Sequence, residues 1–582
     1  MSWPRVARLA LAALLVLAVA LLAGYLYLRS RGNQLLQDAG QGWLTRRITA
    51  LSDSTYDVRL YGLRYLLPTR SLRFDSLVMA TRVVRNQSFA KPNPTLTLSV
   101  FNGRVTGIDM WEVVFGKRIH AGEVGFDSVA AIVVLPPLFR DSAQASSRDE
   151  APPDASVPRD TTGSGSVVVI GVDSGWVRGA PLATVERVRF GNISGRLVVP
   201  LVEGRQELEL RNLSVDLDAV SFDPRREATT PFRVKDVRVD VRSFAGRLGP
   251  SRLSFTGLAG SFADSTLRVD SLRLEPQGGD SGFREGRRYR GTRLQLAVQQ
   301  FAAQGLDWNG FLRGTHVGVR RIELAGLELD LLLDKRLPKD PVRRSRPSPQ
   351  QFVALLREPL RIDSILLREA RVQYAEHAAG ADRPGRIRFE HIGGAISNLT
   401  NDPVLQSDST PLRLDARASL MGAGALEVMI EFPLLAPGYD GRYRIRLGPM
   451  DATRLNELIV PLTGAEIKEG ELTSLELDAR VRDGIYDGRF VPQFRGLGVR
   501  FPQSASQKRH ETGIGGFFKG IGRALKGVAA NVVVRTNNPS SPGQRPESGH
   551  VHHVRRPWES FWSGVWQSLK PALKESIYNV KM

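Results

Sequence analysis

The sequence predicts a mainly β protein in which an elongated, twisted antiparallel sheet forms an apolar groove, with an N-terminal transmembrane helix and C-terminal amphipathic helices. Apolar and charged residues alternate over most of the chain, as in residues 232–242 (FRVKDVRVDVR), and a period of two is typical of strands with one buried and one hydrated face. Helical patterns are few. Because an amphipathic sheet has to cover its apolar face, the sheet either closes on itself or curls into a groove that an apolar ligand fills.

The apolar segment at residues 9–28 (LALAALLVLAVALLAGYLYL) predicts the transmembrane helix. Twenty residues at a rise of 1.5 Å span about 30 Å, which is the thickness of the hydrocarbon core of a bilayer. A cleaved signal peptide is the alternative, but its apolar core is usually shorter and ends in small residues, whereas Tyr25 and Tyr27 lead here into Arg29 and Arg31. We therefore expect a retained anchor. The arginines on the two sides of this segment nearly balance, so they do not predict its orientation in the membrane. The composition of the remaining chain favours export, and we therefore expect the large domain on the outer side of the membrane.

Composition narrows the classes of function. The 582-residue chain has no cysteine and a formal net charge of +20. The absence of cysteine excludes disulfides, thiolate metal sites and a cysteine nucleophile. A basic chain can bind nucleic acid, but these arginines alternate with Asp and Glu along the predicted strands, so no nucleic-acid partner is predicted. We prefer a basic surface that faces anionic lipid headgroups.

Stretches rich in Pro, Ser, Gly and charged residues divide the chain into blocks. The predicted order is a transmembrane anchor (1–31), a first β-rich block (32–140), a linker (141–165), a second β-rich block (166–333), a linker (334–349), a C-terminal β block (350–502) and an amphipathic helical tail (513–582). Residues 503–512 and 537–557 are also predicted as linkers or long loops. Besides the anchor, helices are predicted at Gln34–Ala50, Gln350–Arg357, Asp451–Ile459 (with Asp451 as N-cap), Ile514–Ala530 and Pro557–Val580.

A short phrase recurs in the predicted strands. Residues 72–77 (LRFDSL), 267–272 (LRVDSL) and 360–365 (LRIDSI) are three copies, and residues 126–129 (FDSV) are a partial one. A repeated acidic ligand site is one interpretation. A repeated structural unit is the one we favour, in which the apolar residues share a face and the Asp-Ser pair lies at a turn or bulge, so that a strand, a slip and another strand follow each other.

The sequence carries no catalytic motif that predicts an enzyme. The Gly-x-Ser-x-Gly, His-Glu-x-x-His and Walker patterns are all absent, so neither catalytic residues nor cofactors are predicted. His550, His552 and His553 form the one histidine cluster in the sequence, and their spacing could bind a metal ion weakly. Their Pro-, Gly- and Arg-rich surroundings favour a solvated loop, so no metal site is predicted.

Two groups of apolar residues are the candidate functional residues. The first alternates with charged residues and is predicted to line the groove: Ile322, Leu324, Leu327, Leu329 and Leu331. The second recurs every three or four residues in the last predicted helix and forms a tryptophan-rich stripe for a membrane interface: Trp558, Phe561, Trp562, Val565, Trp566 and Leu569. Such a stripe fits a helix that lies on a membrane surface and equally a helix that packs on the end of the sheet.

Several segments together resemble the AsmA-like superfamily of Gram-negative envelope proteins, which includes the AsmA, TamB and YhdP types. They are residues 360–377 (LRIDSILLREARVQYAEH), residues 447–490 (which begin LGPMDATRLNELIVPL), the triplet Asn537-Asn538-Pro539 and residues 558–577 (WESFWSGVWQSLKPALKESI). The N-terminal anchor followed by β-rich repeats adds to this resemblance. The resemblance covers about the last 220 residues well, and the middle of the chain only in its general character. This chain is much shorter than the largest members.

The resemblance implies a function without catalytic residues. The expected protein is held in the bacterial inner membrane by one N-terminal anchor, has most of its chain in the periplasm, and takes part in phospholipid transport to the outer membrane and in outer-membrane biogenesis. Phospholipids and the inner membrane are then the expected partners, with the outer membrane and its proteins as further candidates. The alternative is a non-enzymatic envelope scaffold or assembly factor that binds outer-membrane or periplasmic proteins. An open apolar groove favours the first function, and a filled core favours the second.

Overall fold

The computed structural model describes residues 56–66, 69–81, 95–107, 118–134, 168–170, 182–200, 205–222, 232–248, 251–285, 287–313, 316–341, 353, 359–402, 405, 410–434, 439–500, 532–559 and 561–580. The predicted anchor and the predicted helices at Gln34–Ala50 and Ile514–Ala530 lie outside these residues, as do the linkers 141–165 and 503–512. Of the predicted helix Gln350–Arg357, only Val353 is described.

The described chain is mainly β. Its strands are β1 (Tyr56–Tyr61), β2 (Arg64–Leu66), β3 (Ser71–Thr81), β4 (Thr95–Thr106), β5 (Arg118–Val134), β6 (Val168–Ile170), β7 (Leu182–Pro200), β8 (Arg205–Phe222), β9 (Phe232–Val234), β10 (Asp236–Leu248), β11 (Ser251–Ser261), β12 (Thr266–Pro276), β13 (Gly291–Gln304), β14 (Val317–Asp334), β15 (Leu360–His377), β16 (Gly385–Thr400), β17 (Leu412–Leu420), β18 (Gly424–Phe432), β19 (Gly441–Leu447), β20 (Met450–Asp451), β21 (Glu466–Arg482), β22 (Ile485–Arg500), β23 (Val532–Val534), β24 (Gly549–Val554) and β25 (Tyr578–Val580). Its helices are α1 (Gly279–Arg284), α2 (Trp308–Arg313), a 3₁₀ turn (Ala452–Leu455), α3 (Asn456–Thr463) and α4 (Phe561–Ile577).

The chain divides into two compact units. The first comprises Met1–Asp270 and Gln304–Thr315, and the second comprises Ser271–Ala303 and His316–Met582. In the first unit, β3 pairs with β1, β2 and β4, and the sheet continues through β5, β7, β8, β10 and β11. In the second unit, the sheet runs from β14 through β15, β16, β17, β18, β19, β21 and β22 to β24.

The prediction of an antiparallel sheet is wrong in part, because the described strands of each unit include a parallel pair. β5 pairs in parallel with β7, and β14 pairs in parallel with β15. Both pairs flank a predicted linker, at 141–165 and at 334–349. Parallel neighbours cannot be joined by a tight turn and need a long crossover connection, and these two polar, Pro-rich segments provide that length.

The predicted slip at the repeated phrase is present. In β3, the buried positions change from Leu72 and Phe74 to Leu77 and Met79, so the alternation shifts by one residue at Asp75-Ser76. Phe74 pairs with Gly103 and Ser76 pairs with Phe101, so Asp75 lies opposite Asn102, a residue with a φ of 53°. Both strands bend at the same level, and the slip therefore leaves their register unchanged.

Further strands also bulge within their length. Left-handed backbone occurs at Asn192 (φ 46°) and Asn212 (φ 52°) in the first unit, and at Gly326 (φ 60°), Glu369 (φ 51°) and His391 (φ 51°) in the second. Asn and Gly tolerate this conformation best, which explains their choice at most of these positions. Because each bulge bends its strand and increases its twist, a row of bulges curves a sheet about one line.

Burial differs between the two units. In the first unit, the inward side chains of β3, β4, β5 and β7 form a filled core, with Phe74, Leu77, Val100 and Phe126 each no more than 2% exposed. In the second unit, the fully buried clusters lie on the strands from β17 to β24, and the apolar side chains of β14 are half buried. The predicted groove residues of the second unit therefore lie on a half-buried part of its apolar face.

Candidate functional site

The predicted groove residues lie on β14. Ile322 and Leu324 precede the bulge at Gly326, and Leu327, Leu329 and Leu331 follow it. An added residue at a bulge reverses the alternation of side chains, so the bulge keeps both groups on one face of the strand despite the change of phase in the sequence. All five side chains are partly exposed. The structure thus places them together on an incompletely covered apolar face.

This apolar face continues across the neighbouring strands. Leu329 pairs with Val372 of β15, which pairs with Phe389 of β16. Leu331 pairs with Tyr374 of β15, which pairs with Ile387 of β16. Farther along the sheet, the members of the face are Ile396, Leu414, Val428, Ile430 and Ile445. These side chains are also partly exposed, so the open strip extends from β14 to β19.

The opposite face of β14 and β15 is polar. Arg368 contacts Glu323 at 3.5 Å, and Arg371 contacts Glu328 at 3.2 Å. The side-chain amide of Gln373 donates to Asp330 at 3.2 Å. Exposed ion pairs of this kind contribute little to stability, but they satisfy the charged residues in water and identify this face as the hydrated one. The apolar strip is therefore the inner face of an amphipathic sheet.

Helix α4 closes one end of the strip. Val565, Leu569 and Leu573 pack against a buried cluster on β18, β19, β21, β22 and β24 that contains Phe432, Tyr443, Leu477, Tyr486, Phe490 and Val551. The contact is close, because a Cβ atom built on Gly549 would lie 1.9 Å from the carbonyl oxygen of Ala572. Only glycine at that position lets the helix approach the strand.

The predicted tryptophan-rich stripe is only partly accounted for by this packing. Val565 and Leu569 face the cluster, and Trp558 and Trp566 are partly buried. The side chains of Phe561 and Trp562 lie outside the described residues. The helix itself is shorter than the predicted Pro557–Val580, because residues 578–580 form β25 and pair with β23. Of the two predicted placements, packing on the end of the sheet describes the resolved contacts of Val565 and Leu569.

Three buried tyrosines complete that end. The hydroxyls of Tyr439 and Tyr443 lie 2.6 Å apart, and the hydroxyl of Tyr486 donates to Tyr439 at 3.0 Å. Burial raises the pKa of all three phenols, so they remain neutral donors and acceptors. The guanidinium carbon of Arg555 lies 5.0 Å from the centre of the Tyr439 ring, which adds a cation–π contact. The network satisfies the polar atoms that the apolar end would otherwise leave without partners.

A second helical cap closes the other edge. Asp451 is the N-cap of the 3₁₀ turn and accepts a hydrogen bond from the Thr453 N–H at 2.9 Å, as the sequence predicted. The chain then continues as α3 to Thr463, beyond the predicted end at Ile459. Leu458 and Leu462 pack against Ile387, and Leu462 is only 1% exposed. The two caps leave the half-buried strip between them.

A charged cluster that the sequence analysis missed lies where β14 and β15 end. The Lys335 ammonium forms a buried ion pair with Glu376, which is 2% exposed. The Tyr374 hydroxyl donates to the other carboxylate oxygen of Glu376 at 3.2 Å. The alternation of Val372, Tyr374 and Glu376 was the available signal, because it places a carboxylate on the apolar face.

The prediction of a solvated loop around the histidine cluster is wrong. His550, His552 and His553 lie on β24, which pairs with β22. Asn538, within the same predicted loop, is 1% exposed and fixes residues 537–548 through hydrogen bonds to the backbone of Pro492 and Glu547. Within the described residues, no group of three or more His, Asp or Glu side chains is arranged to hold a metal ion.

None of the helices in the described part of the chain has the length and apolar character needed to cross a membrane. No protein-family model matches the chain, and no curated protein sequence matches it.

Proposed function

We propose that the protein is an AsmA-like, inner-membrane-anchored periplasmic protein that carries phospholipid acyl chains along the apolar strip of its second unit and so takes part in phospholipid transport and outer-membrane biogenesis. The observation that supports the proposal is the half-buried apolar strip from β14 to β19, which borders the fully buried clusters of the same unit. Most apolar side chains of a stable domain are fully covered in its interior, and a contiguous strip of half-buried apolar side chains is a candidate ligand or partner surface.

An acyl chain fits this strip better than a polar ligand. The side chains around Leu329, Val372 and Phe389 are hydrocarbon, and the first polar groups in line are those of Tyr374 and Glu376 at the end of β15. Burial of apolar surface contributes about 25 cal/mol per Å², so an extended chain gains affinity from length alone. The membrane segment at residues 9–28 would keep the groove next to its supply of lipid.

Site-specific photo-crosslinking tests the proposal. A photoreactive residue at Leu329 should capture phospholipid from cells, whereas the same residue at Glu328, its neighbour on the polar face, should not. Crosslinks from position 329 only to protein would contradict lipid binding. Leu329→Glu places a charge in the strip, where desolvation without a partner costs several kcal/mol, and should remove the crosslink to lipid from a probe at Leu331.

The proposed topology has a separate test. Protease added to spheroplasts should digest the large domain and leave a short membrane-bound N-terminal fragment. Full protection of the large domain would reverse the proposed orientation. Complete release of the domain without proteolysis would instead indicate that the segment at residues 9–28 is cleaved as a signal peptide.

A scaffold function is the second candidate, and the filled core of the first unit favours it. Phe126 packs there against the tilted ring of Phe74 and stacks on Phe190, with centroid distances of 6.3 and 4.8 Å, and all three side chains are buried. A unit of this kind presents its outer face and edges to partners. Capture of one outer-membrane or periplasmic protein by probes on both units, without any lipid crosslink, would support the scaffold.

A further inference from the structure

A short, strongly basic segment leads from α1 to β13 in the second unit. Residues 284–290 (REGRRYR) contain four arginines and one glutamate, which gives the segment a net charge of +3. Arg284 and Arg288 are exposed, and Arg287 and Arg290 are half buried. We call these four residues the arginine cluster. A concentration of one sign of charge on a protein surface attracts a partner of the opposite sign.

The arginine cluster differs from the other arginines of the unit in its lack of acidic partners. Among the residues that the structure describes, none forms an ion pair with Arg284, Arg287 or Arg288. On the sheet, by contrast, arginines of the hydrated face are paired, as Arg413 is with Asp415. The alternation of arginine with acidic residues, which argued against an anionic macromolecule elsewhere in the chain, therefore does not neutralise this segment.

Direct contacts place the arginine cluster beside the end of β14. The backbone N–H of Arg290 donates to the carbonyl oxygen of Pro338 at 2.9 Å, and its Nε donates to the carbonyl oxygen of Leu337 at 2.6 Å. The guanidinium carbon of Arg287 lies 3.9 Å from the centre of the Phe283 ring. A cation–π contact of this kind positions a guanidinium over a ring and leaves the N–H groups at its edge free to donate. The cluster is therefore anchored just beyond the strand that carries the predicted groove residues.

We propose that the arginine cluster docks on the surface of an anionic lipid membrane. Guanidinium groups form bidentate hydrogen bonds with phosphate, and the phosphodiesters of such a surface carry the opposite charge. The half-buried rings of Phe283 and Tyr289 lie among these arginines, and aromatic rings are favoured at the level of the headgroups. An acidic protein would satisfy the charges but would not account for the rings. The inference goes beyond the proposed function, because the contact does not require lipid in the apolar strip.

Co-flotation of the full-length chain, held in zwitterionic nanodiscs, with lipid vesicles tests the inference. The chain should bind vesicles that contain phosphatidylglycerol, should not bind vesicles of phosphatidylcholine alone, and should bind less as the salt concentration rises. The double variant Arg287→Gln, Arg288→Gln should weaken binding about 25-fold, since each basic residue near an anionic surface contributes about fivefold.

Two further double variants separate the cluster from net charge and from folding. Arg413→Gln with Arg417→Gln removes the same charge from paired arginines of the same unit and should leave binding nearly unchanged. Arg287→Lys with Arg288→Lys keeps the charge and should keep most of the binding.

Four outcomes would overturn the inference. They are equal binding to both kinds of vesicle, an equal loss in the paired-arginine control, a loss in the lysine variant as large as in the glutamine variant, and capture of polyglutamate without any binding to vesicles. The last outcome would assign the cluster to an acidic protein. Lipid crosslinking from position 329 tests the proposed function separately, so failure of one proposal is distinguishable from failure of the other.

Discussion

Gly549→Ala should displace helix α4 from the sheet. The added methyl carbon would lie 1.9 Å from the carbonyl oxygen of Ala572, which is backbone and cannot move without the helix. Overpacking usually costs about 1–3 kcal/mol. Complete detachment would expose Val565, Leu569 and Leu573, each worth about 1.5–3 kcal/mol when fully buried. Since these three are only partly buried, we expect a loss of about 2–5 kcal/mol in the free energy of unfolding.

The measurement combines urea unfolding with hydrogen exchange of residues 561–577 in the full-length chain. Gly393→Ala is the control, because a methyl carbon there would meet its nearest neighbour at 4.0 Å, and alanine in a strand is otherwise favourable. The helix should exchange faster in the Gly549 variant and at an unchanged rate in the control. If the two variants unfold at the same urea concentration and protect the helix equally, the close packing of α4 on β24 is refuted.

Three further perturbations probe the polar contacts of the second unit. Glu376→Gln should destabilise it by about 3–5 kcal/mol, because the buried Lys335 loses its partner, and a second change, Lys335→Met, should recover most of that loss in denaturant unfolding. Asn538→Ala should cost about 2–4 kcal/mol in the same assay, because buried backbone groups of residues 492 and 547 lose their hydrogen bonds. Arg388 holds the pKa of Glu457 below its ordinary value of 4.5, so the stabilisation is complete above that pH and is lost as pH falls through the lowered pKa; Glu457→Gln should flatten the fall in stability below pH 4.5.

Local pattern predicted much of the architecture. The period of two predicted strands at 232–242 and 322–331, where β10 and β14 lie, the change of phase at Asp75-Ser76 predicted the slip, and Asp451 was correctly assigned as a cap. These features depend on residues close together in the sequence, where side-chain direction and capping chemistry are local consequences of residue type.

Non-local features escaped the sequence analysis for a physical reason. The parallel pairing of β5 with β7 joins segments on either side of a long linker, and nothing in the linker specifies the direction of the returning strand. The strand that carries His550 was mistaken for a loop because its short pattern is stabilised by pairing with β22.

The shared slip of the strands has a consequence for folding. β3, β12 and β15 carry nearly the same phrase, so each presents its neighbours with the same sequence of faces and the same interruption. A strand of this kind can be duplicated, because the copy pairs in register with its neighbour and bends at the same position. The same interchangeability allows one repeat to occupy the place of another while the chain folds. Misfolding by strand exchange between repeats therefore competes with correct folding of the nascent chain.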